Sequence, residues 1–182
     1  MKLLGWFYSA TDIARPLVVC DVPTRRQYAF LEWIRTNEAP FLPPEWRDGE
    51  SGARTMNLAV QSAIDYLVDP CALDAERKAV EEEGGMLPDS DSEVGPMSFL
   101  KCLRVEMALR EFLGKKGSGR KRMKCRAILK RCGVGRRSAA FCREFERASA
   151  FYHVGLRLPW EEAVSLSIDD FRLDDPLILL RL

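Results

Sequence analysis

A chain of 182 residues with 47% apolar content suits one domain, or a compact domain with an appended lobe, and excludes wholesale disorder. No apolar run reaches the roughly 18–20 residues of a membrane-spanning helix, which argues against a membrane partner. The formal net charge of +1 conceals a polarised chain: residues 1–100 carry 9 Lys/Arg against 17 Asp/Glu, residues 101–149 carry 16 against 4, and residues 150–182 carry 3 against 6.

The opening, MKLLGWFYSATDIARP, has one Lys ahead of an apolar run of about six residues, interrupted by Trp and Tyr and shorter than the roughly 7–15 of a signal peptide. Six cysteines (Cys20, Cys71, Cys102, Cys125, Cys132, Cys142) form no C-x-x-C pair. Disulfide frameworks belong mainly to small secreted domains, so the expectation is an intracellular, reducing compartment, cytoplasm or nucleus. KLLGWFY (2–8) and LVVCDV (17–22) are β-rich and predict two short strands, with a turn at the polar ATD and Pro16.

Pro23-Thr24 opens a predicted helix to about Thr36, with Phe30, Leu31, Trp33 and Ile34 on one side. Residues 39–52, with three prolines and two glycines, predict an irregular loop. Thr55 is a candidate cap for a helix to Val68, with Val60, Ala63, Ile64, Leu67 and Val68 inward, and Asp69-Pro70 ends it. Residues 72–83 predict a charged helix, and 84–96 (GGMLPDSDSEVGP) a flexible linker. The expected organisation is therefore an acidic N-terminal lobe (1–83), the linker, and a basic helical lobe (97–182).

Ser98 to Leu113 is apolar around most of a helical circumference, as a central core helix would be. GKKGSG (114–119) follows as a basic loop. Arg120 to Arg131 segregates at helical spacing, with Cys125, Ile128, Leu129 and Cys132 opposite Arg120, Lys124 and Arg131. Gly133-Val134-Gly135 interrupts, and a second helix is predicted from Arg136 to about Tyr152 with Arg136, Arg143 and Arg147 on its outer strip. HVGLRL predicts a strand, Pro159 to Ser167 a helix with Pro first and acids in the first turn, and PLILLRL (176–182) a terminal strand or docking segment. The fold class is mostly α with a few short strands, α+β being the variant.

Phe112 to Arg143 contains no acidic residue and twelve cations. Like charges repel within a screening length of about 8 Å at physiological salt, and phosphate neutralisation supplies most sequence-independent nucleic-acid affinity. The expected function is non-catalytic nucleic-acid binding through residues 112–147. The candidate contacts are Lys115, Lys116, Arg120, Lys121, Arg122, Lys124, Arg126, Lys130, Arg131, Arg136, Arg137, Arg143 and Arg147. Residues 124–146 resemble a helix-turn-helix, a motif whose second helix enters the major groove of duplex DNA; the resemblance implies that Arg136, Arg137 and Arg143 approach bases or phosphates.

Three alternatives stay open. The same residues suit a helical RNA-binding or protein-interaction subunit of a ribonucleoprotein, with Phe141, Phe151 and Tyr152 beside the basic loop. A protein partner is also open to the acidic lobe or to PLILLRL, and KRMK (121–124) is a nuclear-localisation candidate. A metal-dependent nuclease ranks third, on Asp169-Asp170 and Asp174-Asp175. GKKGSGRK lacks the Gly-Lys-Ser/Thr of a P-loop. Cys125, Cys132, Cys142 and His153 lack the close ligand pairs of zinc sites, and His153 has no nucleophile motif beside it. No cofactor, metal or catalytic residue is expected.

Overall fold

The computed structural model describes residues 3–69, 71 and 95–182. The chain is mostly α-helical with one small antiparallel sheet, as its composition and periodicity predict. It divides into two compact units, Met1–Ser92 and Glu93–Leu182. The predicted helix 72–83 and residues 84–94 of the predicted linker lie outside the described residues.

The first unit is helical where strands were expected. After a 3-10 turn at Leu3–Trp6, α1 runs Ala10–Val19. Ser9 caps it by a reciprocal pair: the Asp12 N–H donates to Ser9 Oγ (3.1 Å) and the Ser9 N–H to Asp12 Oδ2 (2.8 Å). The polar ATD is therefore a helix start rather than a turn, and Ile13, Ala14 and Leu17 all fall on a buried face. Pro16 sits inside the helix, where its missing N–H removes one bond without ending it.

α2 (Thr24–Asn37) matches its prediction and buries Phe30, Leu31 and Ile34. The expected loop 39–52 instead contains a 3-10 turn (Ala39–Phe41), α3 (Pro44–Arg47) and the start of α4 (Gly49–Val68). Arg35 organises this stretch by donating to the carbonyls of Trp46 (3.0 Å), Arg47 (3.2 Å) and Gly49 (2.9 Å). A side chain at Gly52 would stand 3.1 Å from the Glu45 and Trp46 backbone, so glycine is what lets α4 lie against α3. α4 also packs along α1.

In the second unit α5 (Pro96–Phe112) is the central helix, burying Leu100, Leu103, Val105, Met107, Ala108 and Leu109. Each of the Leu, Val and Met side chains contributes about 1.5–3 kcal/mol. Two cations of α5 are buried as well: Lys101 is 7% and Arg104 5% exposed. Arg104 Nη1 donates to the Tyr152 carbonyl at 3.0 Å, placing a cation at the C-terminal end of another helix.

Two helical expectations are corrected here. Arg120–Lys124 is strand β1 rather than the first turn of a helix, and α6 is the short Cys125–Arg131 that follows it. The cause lies far along the chain: β3 (Pro176–Arg181) buries Leu177, Ile178 and Leu179 in succession, hence on both faces, and such a strand belongs between two others. β1 flanks it on one side and β2 (Val154–Arg157) on the other, in the order β1-β3-β2, all antiparallel. Residues 176–181 of PLILLRL are thus the middle strand of the sheet, with Leu177, Ile178 and Leu179 buried within the unit and Leu182 left 57% exposed. Residues 159–167 form no helix but a turn and an irregular segment, with Ser165 bridging Leu156.

The second predicted helix starts later than expected. α7 runs Ala139–Tyr152, capped by Ser138, whose Oγ accepts from the Phe141 N–H at 3.1 Å. Its buried face, Phe141, Phe145, Ala148 and Tyr152, packs against α5, and it also meets β2 and a 3-10 turn at Ile168–Asp170. The connection from α6 occupies residues 132–138, longer than the about 3–4 residues of a helix-turn-helix. Arg136 and Arg137 therefore precede α7 instead of lying on it.

Candidate nucleic-acid interface

The thirteen predicted contact residues separate into two groups. Lys121, on the covered side of β1, is paired with Glu106 of α5 at 2.7 Å. Arg126 meets Asp174 at 3.1 Å, an exposed pair of little energetic weight. Arg137 donates to the carbonyls of Ile168 (2.8 Å) and Phe171, and Asp169 lies 3.9 Å away. Arg147 is exposed on α7 but is engaged within the chain.

The remaining nine are Lys115, Lys116, Arg120, Arg122, Lys124, Lys130, Arg131, Arg136 and Arg143. All nine are exposed, and among the described residues their side chains have no ion pair or hydrogen bond. Strand pleating explains their most regular subset. Exposure alternates along β1, so Arg120, Arg122 and Lys124 share the outer face while Lys121 and Met123 turn inward. Lys115 and Lys116 stand in the loop just before this strand, and Lys130 and Arg131 in the last turn of α6, where cations complement the helix dipole. Arg143 projects from α7.

The aromatic candidates beside this surface are mostly committed to packing. Phe141 and Tyr152 are buried, and Phe151 stands edge-on to Tyr152 at 5.0 Å. Two residues outside the expected contact set lie on the cationic face of the sheet. Arg157 of β2 shares the Ile178 row with Arg122, and Trp160, 68% exposed, follows in the turn after β2. The dipeptide Pro159-Trp160 was the available signal; it reads equally as a helix start.

Three thiols of this unit, Cys125, Cys132 and Cys142, are poorly suited to nucleophilic work. Burial pushes the Cys132 thiol up to about 12, with nearby Glu144 adding to the effect. Burial likewise raises Cys125, and it raises Cys142, to which Asp169 contributes by charge and by a hydrogen bond. Such groups stay protonated near neutral pH. Among the described residues no group of three or more His, Cys, Asp or Glu side chains is placed to hold a metal ion, and no helix is long and apolar enough to cross a membrane. No family model, curated protein or solved structure matches this chain.

Proposed function

We propose that the second unit is a non-catalytic nucleic-acid-binding module that engages phosphates through the outer face of β1 and the cations around it. The observation that carries this reading is the alternation in RKRMK. The inward Lys121 is neutralised by Glu106, whereas Arg120, Arg122 and Lys124 face solvent together without a counter-charge among the described residues. Three cations at every second strand position repeat at about 6.6–6.8 Å, within one screening length of each other, so an anion that bridges them relieves their repulsion.

Duplex reading by a recognition helix has less support than phosphate contact. Arg137, one of the three arginines that the helix-turn-helix resemblance brings to bases or phosphates, instead donates its guanidinium to the Ile168 and Phe171 carbonyls. Affinity should accordingly be dominated by phosphate contacts and fall with salt.

The test is fluorescence anisotropy with labelled single-stranded RNA, single-stranded DNA and duplex DNA, comparing wild type with R120T/R122T/K124T. Threonine keeps strand propensity, and at 124 it is a good cap for α6. Salt-sensitive binding that the triple variant loses is the expected result. Absence of binding to all three at low salt would overturn the proposal and leave a protein-interaction role for this surface.

A further inference from the structure

We propose that the cationic sheet face takes single-stranded nucleic acid in particular, stacking a base on Trp160 while the sugar-phosphate backbone follows Arg120 and Arg122. This inference rests on the nucleic-acid reading above and adds the ligand's strandedness and the residue that selects it.

The placement follows from register. Directly opposed residues in an antiparallel sheet share a face. Arg120 opposes Leu180, which opposes Gly155; Arg122 opposes Ile178, which opposes Arg157. These two rows put arginines beside an apolar central strand. Leu180 also floors an open groove of about 490 Å³, whose walls include Arg157, Trp160 and Val164. Arg120 is therefore the cross-strand neighbour of a residue that lines the same groove as Trp160.

The groove depends on Gly155. A side chain there would come 2.3 Å from Val164 Cγ1 and 3.1 Å from Leu182 Cδ2, so glycine lets the segment after β2 fold back over this face. The turn carrying Trp160 is held from below. The Glu161 N–H donates to the Leu158 carbonyl at 3.2 Å, with Pro159 at the second position, which its fixed φ suits. Arg157 Nη1 then donates to the carbonyls of Leu158 (3.3 Å) and Glu161 (2.7 Å). An exposed indole on a tied turn, above a groove edged by arginine, is a ready platform for a base.

Strandedness follows from the chemistry of stacking. In a duplex both faces of a base are covered by neighbours, whereas in a single strand they are open to an aromatic side chain. Charge sets the path as well. Glu161 and Glu162 line the groove, whereas Arg120 and Arg122 lie outside its walls on β1, so phosphates are repelled from the groove and drawn toward β1. The base enters the groove and the backbone stays on the strand.

The experiment uses the full chain with a labelled oligouridylate, an abasic strand of equal length and a duplex, read by anisotropy and by tryptophan emission. Trp160→Ala is compared with wild type, with Trp160→Phe as the conservative variant. We expect oligouridylate to bind tighter than the duplex and to quench wild-type emission. We expect Trp160→Ala to remove that quenching and to weaken oligouridylate about five-fold or more. Phe should restore much of the affinity, and binding of the abasic strand should not change. Equal oligouridylate affinity in wild type and Trp160→Ala, or an equal loss on the abasic strand, would overturn this inference while leaving phosphate binding intact. Failure of wild type to bind any of the three would overturn the parent reading along with it.

Discussion

Arg137 Nη1 lies 2.8 Å from the carbonyl oxygen of Ile168 and also donates to that of Phe171, so a residue that sequence places among phosphate contacts is a tie between the α6–α7 connection and the 3-10 turn before β3. Charge-assisted bonds of this kind are stronger than neutral ones, and Arg suits them because its donors are held in a planar fork. Arg137→Ala should cost about 1–3 kcal/mol of stability, the price of leaving partly buried carbonyls without a donor. Urea unfolding should show the loss, while the affinity of the folded variant for nucleic acid falls less than that of Arg122→Ala.

Ser149 makes the opposite prediction. Its hydroxyl is buried on α7 and has no hydrogen-bond partner among the described residues. Removing a buried, unsatisfied polar group relieves a desolvation cost and leaves almost no cavity. Ser149→Ala should therefore be neutral or stabilise by about 1 kcal/mol, with the gain in helix propensity on the same side. A shift of the urea midpoint to higher concentration, at unchanged slope, is the expected readout.

Cysteine behaviour should divide by burial. Cys20 and Cys71 are exposed, whereas Cys125 and Cys132 are buried. Iodoacetamide at pH 8 under native conditions should alkylate the first two and spare the second pair, as peptide mass spectrometry will show. The raised Cys132 thiol also carries a pH signature. From an ordinary 9.0 to the folded value of about 12, the unfolded chain gives up a proton that the folded chain keeps. The unfolded state then binds fewer protons, so this group makes stability fall as pH rises through that window and has no effect below it. Cys132→Ala should flatten the decline between pH 9 and 11.

The elements legible in the sequence are those whose signals are local. α2, α5, β2 and β3 follow from apolar spacing over a few residues, and they form where that spacing places them. α1 was obscured because Val18 and Val19 favour strands, although the Ser9–Asp12 capping pair was there to be read. β1 could not be read locally at all. RKRMK has little strand propensity, and its pairing is imposed by β3, which lies more than fifty residues further along.

The candidate site divides in the same way. Its basic composition is visible in residues 112–143, but the assignment of each cation is not. Lys121 is neutralised by Glu106 across the unit, and Arg137 by carbonyls at 168 and 171, partners that no motif links to them. The sequence places Trp160 in the first turn of a helix that does not form. Its position over the sheet depends on Gly155 and on the two carbonyl bonds of Arg157.

The central claim is that the outer face of β1 binds phosphate, and the salt dependence of affinity tests it most directly. Wild type and R120T/R122T/K124T would be titrated with the same single strand across a series of salt concentrations. For a single strand the slope of log K against log salt is about −0.7 per neutralised phosphate, so losing three contacts should make it shallower by about 2. Identical slopes in the two proteins, or an affinity indifferent to salt, would contradict the account.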